Sequence, residues 1–398
     1  MKFERLGDIA ELIAGQSPPS STYNQERNGV PFFQGKADYG KKFPTVRFWC
    51  SEPTKISLPD DILISMRAPV GPVNINNVES CIGRGLSAIR VKGNANRDYI
   101  FYWLKLNEKQ IADKGTGSVF KAITQKTLSE LKIPLPSFSD QIQIANILSK
   151  AETLIEQRKQ SIALLDELLK SSFLEMFYTN SEIENWKEVR FAELAEKKRG
   201  SMRSGPFGSS LLHGEFTETG DVKVLGIDNV VTNKFQWKRN RCITLEIFQQ
   251  LKRYQVFPND VLISIMATLG RTAVVPDNIP ICINSKHLAA ITLDKKIANP
   301  HFVSFAFHSH PIILRQMRSK VKGAIMDGLN LTIIQKLVFK LPPIELQIQF
   351  AQLVVKTEAL KEQYKNSLQE LGNLYGSLSQ SAFKGELRMS ELLINQIK

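Results

Sequence analysis

Cysteine is scarce in this sequence and badly placed for chemistry. Cys50, Cys81, Cys242 and Cys282 are the four present, and none forms a C-x-x-C pair. That excludes a disulfide framework and a thiolate metal site, and leaves ordinary buried thiols. No apolar run approaches the ~18 residues that span a bilayer. The opening Met1-Lys2-Phe3-Glu4-Arg5-Leu6 lacks the apolar stretch of a signal peptide. The expectation is a soluble cytoplasmic protein with no membrane partner. Signatures of catalysis are missing too: there is no Walker A loop, no H-E-x-x-H and no G-x-S-x-G. Gly83-Arg84-Gly85 and Gly115-Thr116-Gly117 complete no G-x-G-x-x-G cofactor loop.

What is abundant is positive charge. The formal net charge is +13, which points first to a polyanionic partner and most commonly to nucleic acid. The 398 residues suffice for two or three domains, each with its own core.

An internal repeat organises the chain. Residues 58–65 (LPDDILIS) match residues 257–264 (FPNDVLIS), and Gly71 falls on Gly270, all 199 positions apart. Cys81-Ile82 falls on Cys282-Ile283, and Leu86-Ser87-Ala88-Ile89 on Leu288-Ala289-Ala290-Ile291. Further on, Gly117 matches Gly323, Leu131 matches Leu337 and Pro136 matches Pro342. Gln141-Ile142-Gln143 then matches Gln347-Ile348-Gln349, and this last group shares an offset of 206. So many anchors in one order do not arise by chance.

Each copy follows one plan. The runs at 62–66 and 261–265 are nearly continuous and apolar, as buried strands are, and each opens after a Pro-Asp or Pro-Asn turn. Further strands are expected at 30–34, 86–91, 222–227 and 288–293, and helices at 97–110 and 300–317. Pro134 and Pro136, then Pro342 and Pro343, close the mixed segments. Heptads follow. Leu148, Ile155, Ile162, Leu169 and Met176 share one position in the first copy. Leu346, Leu353, Leu360 and Leu374 share one in the second, and Phe350, Tyr364, Leu371 and Leu378 another. Sustained heptads with charged flanks predict two coiled-coil helices of about 40 residues, each ~60 Å long. The fold class is α+β: two mixed α/β globules separated by two long helices, a tandem repeat with an approximate two-fold. If those helices pair antiparallel, the globules lie at opposite ends of a rod, a geometry suited to a duplex.

The ordered set of motifs resembles the specificity subunit of type I restriction–modification systems. It is carried by Phe3-Glu4-Arg5-Leu6-Gly7-Asp8-Ile9 and Trp186-Lys187-Glu188-Val189 at the openings of the copies, and by the run at 59–65. Leu131-Lys132-Ile133-Pro134-Leu135-Pro136, the two Gln motifs at 141–145 and 347–351, and Ala382-Phe383-Lys384-Gly385-Glu386-Leu387 complete it. The resemblance implies target recognition domains at 1–137 and 181–343, a central spacer helix at 138–180, and a C-terminal spacer helix and tail at 344–398. Each domain would read one half of a split double-stranded DNA site. The helices would set the gap and dock two modification subunits that methylate adenine. A restriction subunit is an optional further partner. No cofactor is implied for this chain; S-adenosylmethionine, ATP and Mg belong to the partner subunits.

Base edges specify and phosphates position, so the reading residues should sit on loops that differ between the copies. In the first copy these are Gln34, Lys36, Asp38, Tyr39, Arg67, Arg84 and Lys121. Their expected counterparts are Asp228, Asn229, Arg271, Lys286 and Asp327. Arg199, Arg203 and Ser204, between Gly200 and Gly205, suit a phosphate or groove contact. Because the copies differ here, the target should be asymmetric.

Two rival classes are weighed against this. Asn299-Pro300-His301-Phe302 is the nearest run to a methyltransferase tetrapeptide but lacks the second proline. Pro276-Asp277 with Asp294-Lys295-Lys296 formally fits a two-metal nuclease, yet the first copy has no such set across 70–92, and a turn after a strand explains it. A coiled-coil scaffold would not need the globules.

Overall fold

The computed structural model describes residues 2–117, 121–207, 210–321 and 328–386. It divides into two compact units, Met1–Lys159 with Asn366–Lys398, and Gln160–Lys365.

The first unit holds an antiparallel four-stranded sheet in the order Ala10–Ala14, Leu86–Val91, Ile62–Ser65, Val73–Ile75. A five-stranded sheet lies beside it, in the order Tyr23–Asn24, Phe48–Cys50, Val30–Phe33, Ser80–Ile82, Ile56–Ser57. A ribbon pairs Lys2–Arg5 with Lys132–Leu135. The second unit repeats the plan. Its first sheet runs Met202–Ser204, Leu288–Ile291, Val261–Ser264, Thr272–Val274. Its second runs Cys242–Ile243, Val222–Leu225, Cys282–Asn284, Gln255–Val256, and its ribbon pairs Glu188–Arg190 with Val338–Lys340. The repeat is therefore one of topology as well as of sequence.

The central strands Ile62–Ser65 and Val261–Ser264 are buried along their whole length, which is why they read as unbroken apolar runs without alternation. Each follows a turn whose residue takes a left-handed backbone, Asp60 at φ 73° and Asn259 at φ 66°. Asp and Asn are the side chains that tolerate that region best after glycine. The expected helices are each broken in two: Arg97–Leu106 and Glu108–Asp113, then Pro300–Ser309 and Pro311–Val321. In the second copy Pro311 supplies the break, because it disfavours a helical residue before it.

The long helices run Phe138–Phe177 and Ile344–Lys384. Within the first unit, the Tyr375 hydroxyl donates to Glu152 Oε1 at 3.0 Å. Ala382 and Phe383 join the same core as Ile144, Ala145 and Leu148. Numbers rise along one helix as they fall along the other, so the segments are antiparallel. The second unit shows the same: Lys361 Nζ lies 2.6 Å from Asp166, while Phe350 packs on Phe173 and Phe177 with ring centroids 5.3 and 5.4 Å apart. The heptad pattern is narrower than it reads. Leu148 and Leu169 are buried, but Leu374 is 52% exposed and lies outside the seam.

The repeated Gln motif anchors each long helix to its globule. Gln141 and Gln347 are fully buried. Gln141 Nε2 donates to Asn94 O and Pro136 O, both at 3.0 Å, and its Oε1 accepts from Asn96 N–H at 2.8 Å. Gln347 repeats the set with Ile297 O at 3.0 Å, Pro342 O at 2.8 Å and Asn299 N–H at 2.9 Å. Only a side-chain amide supplies donors and an acceptor from one planar group at that reach.

Candidate nucleic-acid interface

In the first unit, loops following the strands Val30–Phe33, Ile62–Ser65 and Ser80–Ile82 come together around a concavity of about 490 Å3. Four of the sequence-predicted residues line it: Gln34, Lys36, Arg67 and Arg84, with Ser17 and Tyr23 beside them. The four are exposed. Close backbone packing makes this convergence possible. A Cβ at Gly85 would lie 2.3 Å from Gln34 O, and one at Gly15 would lie 2.2 Å from Gly83 O. Any side chain at either position would push apart the loops that carry Arg84 and Gln34.

Asp38 and Asn229 are corrections to the sequence reading. Both are buried and hold loops in shape. Asp38 Oδ2 accepts from Gln34 N–H at 2.7 Å and Gly35 N–H at 3.3 Å, and its Oδ1 accepts from Arg47 Nε at 2.8 Å. Asn229 Oδ1 accepts from Gly226 N–H at 2.8 Å, while its Nδ2 donates to Gln236 O at 2.7 Å. These two residues brace the same turn in the two copies. Tyr39 is half-buried with its hydroxyl inside and unpartnered, and burial pushes that phenol well above its ordinary range. It offers no hydroxyl to a ligand as it stands.

Arg203 is the largest correction. It lies on the strand Met202–Ser204, 7% exposed, and its guanidinium pairs with the buried Asp260 carboxylate. It also donates to Gln255 O at 2.7 Å and Thr292 Oγ1 at 3.0 Å. In the first unit the same carboxylate, Asp61, is met by Arg90 from the neighbouring strand, two bonds of 2.9 Å each. Thr292 stands where the repeat places Arg90. The aspartate is common to both copies and its counterion has moved one strand over. A buried carboxylate is strongly disfavoured unless paired, so the arginine is committed there.

Arg199, Arg271 and Lys286 are exposed, and Ser204 is half-buried. Lys121 is exposed, its Nζ 4.0 Å from the Asp113 carboxylate. Asp228 pairs with Arg241. Asp327 lies outside the described residues. Arg271 is not the counterpart of Arg67: the offset of 199 that aligns Gly71 with Gly270 places Met266 there and sets Arg271 against Pro72. Sequence reasoning missed Arg47 and Arg241, whose only signal is a cation following an acidic turn.

The enzyme-like fragments have structural roles. Asn299 caps the helix Pro300–Ser309, accepting from His301 N–H at 2.9 Å and Phe302 N–H at 3.3 Å. Asp294 closes a turn by accepting from Lys296 N–H at 3.0 Å. Among the described residues no group of three His, Cys, Asp or Glu side chains is placed to hold a metal ion, and no helix is long and apolar enough to cross a membrane.

The profile of the type I restriction modification DNA specificity domain matches residues 1–165 and again 183–370, one match for each copy. The chain belongs to this family. Two specificity domains fill it in tandem. It is 22% identical to the EcoBI specificity subunit of Escherichia coli, over 96% of this chain and 85% of that one. It is 46% identical to the MjaX specificity subunit of Methanocaldococcus jannaschii over 38% of this chain, a match spanning 36% of that relative's length. The solved S subunit from M. genitalium shares the fold, with a TM-score of 0.59 at 17% identity over 96% of both chains. A second solved chain, from work on complex assembly and conformational transition of the type I R-M system, gives a TM-score of 0.60 at 17% identity, over 97% of this chain and 98% of that one.

Proposed function

We propose that this chain is the DNA-reading subunit of a type I restriction–modification complex and performs no chemistry of its own. Each unit reads one half of an asymmetric, split double-stranded site. The observation that carries this reading is the convergence of Gln34, Lys36, Arg67 and Arg84 on one concave surface in the first specificity domain. Side chains with forked or paired donors are those that discriminate base edges, and the neighbouring cations hold phosphates. Arg199, Lys121, Arg271 and Lys286 are exposed cations suited to the backbone.

The two long helices set the gap and dock two modification subunits. They leave Leu154, Leu164 and Leu168 between 46 and 53% exposed, and leucine on a helix face suits a protein partner better than water. Those partners bring S-adenosylmethionine and methylate adenine; a restriction subunit brings ATP and Mg chemistry.

Co-expression with the neighbouring modification subunit in a methylation-free host, followed by genome-wide mapping of methylated adenine, tests the proposal. A split asymmetric motif with a fixed gap, lost when this chain is omitted, is the expected result. A perfect palindrome would overturn the two-domain reading of the site. No methylation motif despite a stable complex would overturn the assignment of recognition to this chain.

A further inference from the structure

The two units share one topology but carry different side chains at equivalent loop positions, and hydrogen bonds fix the correspondence. Met66 N–H donates to Gly85 O at 2.8 Å, and Ile265 N–H donates to His287 O at 2.9 Å. Arg67 therefore falls on Met266, and Arg84 on Lys286. Gly15 N–H meets Leu86 O at 3.0 Å, as Gly205 N–H meets Leu288 O at 3.3 Å. Ser17 thus falls on Phe207. Gly35 and Gly226 each open a three-residue helical turn, Lys36–Asp38 and Ile227–Asn229, so Lys36 falls on Ile227.

At these four positions the first unit carries Ser17, Lys36, Arg67 and Arg84, and the second carries Phe207, Ile227, Met266 and Lys286. Phe207 is 48% exposed, and Ile227 and Met266 are half-buried. Three polar positions, two of them cationic, have become apolar at matching points of the topology, although the backbone just after Arg67 and just after Met266 takes different courses. Met266 and Ile227 each rest on their unit's core on one side, and Phe207 is the most open of the three.

The major groove contains a partner for each set. Guanine presents two acceptors, O6 and N7, that match an arginine fork, and thymine presents a methyl group that matches an apolar side chain. We propose that the two half-sites differ in kind: the first unit reads guanine through Arg67 and Arg84, and the second reads thymine methyl groups through Phe207, Met266 and Ile227. This inference rests on the DNA-reading function proposed above and adds the base chemistry of each half.

The test uses the full chain in complex with its modification subunit, on duplexes carrying the target given by the methylation map. 7-Deazaguanine removes N7 from guanine, and deoxyuridine removes the methyl group from thymine. Each is placed in one half-site at a time, and affinity is read by competition at fixed salt. 7-Deazaguanine weakens binding by about fivefold or more per contacted base, in the half-site whose base preference changes in the R67A/R84A double variant. Deoxyuridine weakens it by about fourfold per buried methyl group, in the other half-site, and the penalty disappears in the F207A/M266A variant. If 7-deazaguanine is harmless there, or R67A/R84A weakens all sequences equally, the arginines are phosphate contacts and the proposal fails. A second half-site indifferent to deoxyuridine overturns it as well. Both failures leave a split motif in place and so differ from failure of the DNA-reading function, which would leave none.

Discussion

Replacing Gln347 by alanine isolates the role of the repeated Gln motif. The substitution removes the three hydrogen bonds of a fully buried side chain. Asn299 N–H, Ile297 O and Pro342 O then lose that partner, Pro342 O in a buried setting and the other two in part-buried ones. An orphaned buried group costs about 1–3 kcal/mol. Asn299 N–H and Ile297 O are only part-buried, and the two carbonyls each keep a second lone pair, so all three sit at the lower end. The expected loss is about 3 kcal/mol, about 1 for each bond, a large fraction of a domain's stability. The loss should fall on one unit. Hydrogen exchange read by mass spectrometry in increasing urea would show peptides within 185–343 opening early while those within 2–117 keep their protection. Gln141→Ala should reverse the pattern. Glutamate at 347 should be no rescue, because it keeps the acceptor for Asn299 but turns two donor contacts into repulsions with carbonyl oxygens. A loss under about 1 kcal/mol, against the ~1 expected for a single ordinary bond, would refute the claim that this glutamine fastens helix to globule.

Three further perturbations separate structure from reading. Arg203→Met strips the guanidinium from buried Asp260 and should cost about 3–5 kcal/mol, measured by urea unfolding, while DNA affinity of the folded fraction at low temperature stays unchanged. A drop in affinity at full stability would return Arg203 to the interface. Acidification should loosen the second unit first. Burial lowers His308 and His310 to about 4, so the unfolded chain binds more protons than the folded one between about 6.5 and 4, and stability falls as pH drops through that window. His310 is 1% exposed and alone accounts for up to about 3 kcal/mol; thermal melts of His310→Phe should lose about half of the pH slope, and an unchanged slope would place the titrating groups elsewhere. Inserting four residues within 150–175 lengthens a helix by about 6 Å, so the mapped gap should widen by one to two base-pair steps of ~3.4 Å with both half-sites kept; an unchanged gap would end the idea of a ruler.

Much of this architecture is legible in the sequence. The paired anchors at 58–65 and 257–264 became equivalent buried strands, and the heptads became two long helices. What sequence could not show was direction. Arg203 sits between glycines in a stretch that reads as a loop, yet a three-residue strand turns it inward. Periodicity over three residues carries no signal of which face is buried, and a carboxylate's counterion can come from any neighbouring strand. Asp38 and Asn229 misled for a related reason: small polar residues that could bond a base bond their own turn equally well. Leu374 occupies a heptad position but looks outward while its neighbours Tyr375 and Leu378 pack inward, because a pattern of sevens does not say which of two adjacent stripes faces the partner helix. The concavity was legible only in part. Its members are scattered from 17 to 85, and only the parallel pairing of Val30–Phe33 with Ser80–Ile82 brings Gln34 beside Arg84.

Phe383 packs on Tyr99 with ring centroids 5.1 Å apart, inside the core of the first unit. The unit whose sequence begins the chain is thus completed by almost the last described residues. On the ribosome, the second unit has every segment it needs by Lys365, while the first must wait for the residues after Asn366. The order of completion is the reverse of the order of synthesis. A nascent chain therefore carries an unfinished first globule through most of its manufacture, with the apolar ground under Tyr99 and Leu148 uncovered. A premature stop near 370 would spare the globule closest to it and cripple the one farthest away in sequence.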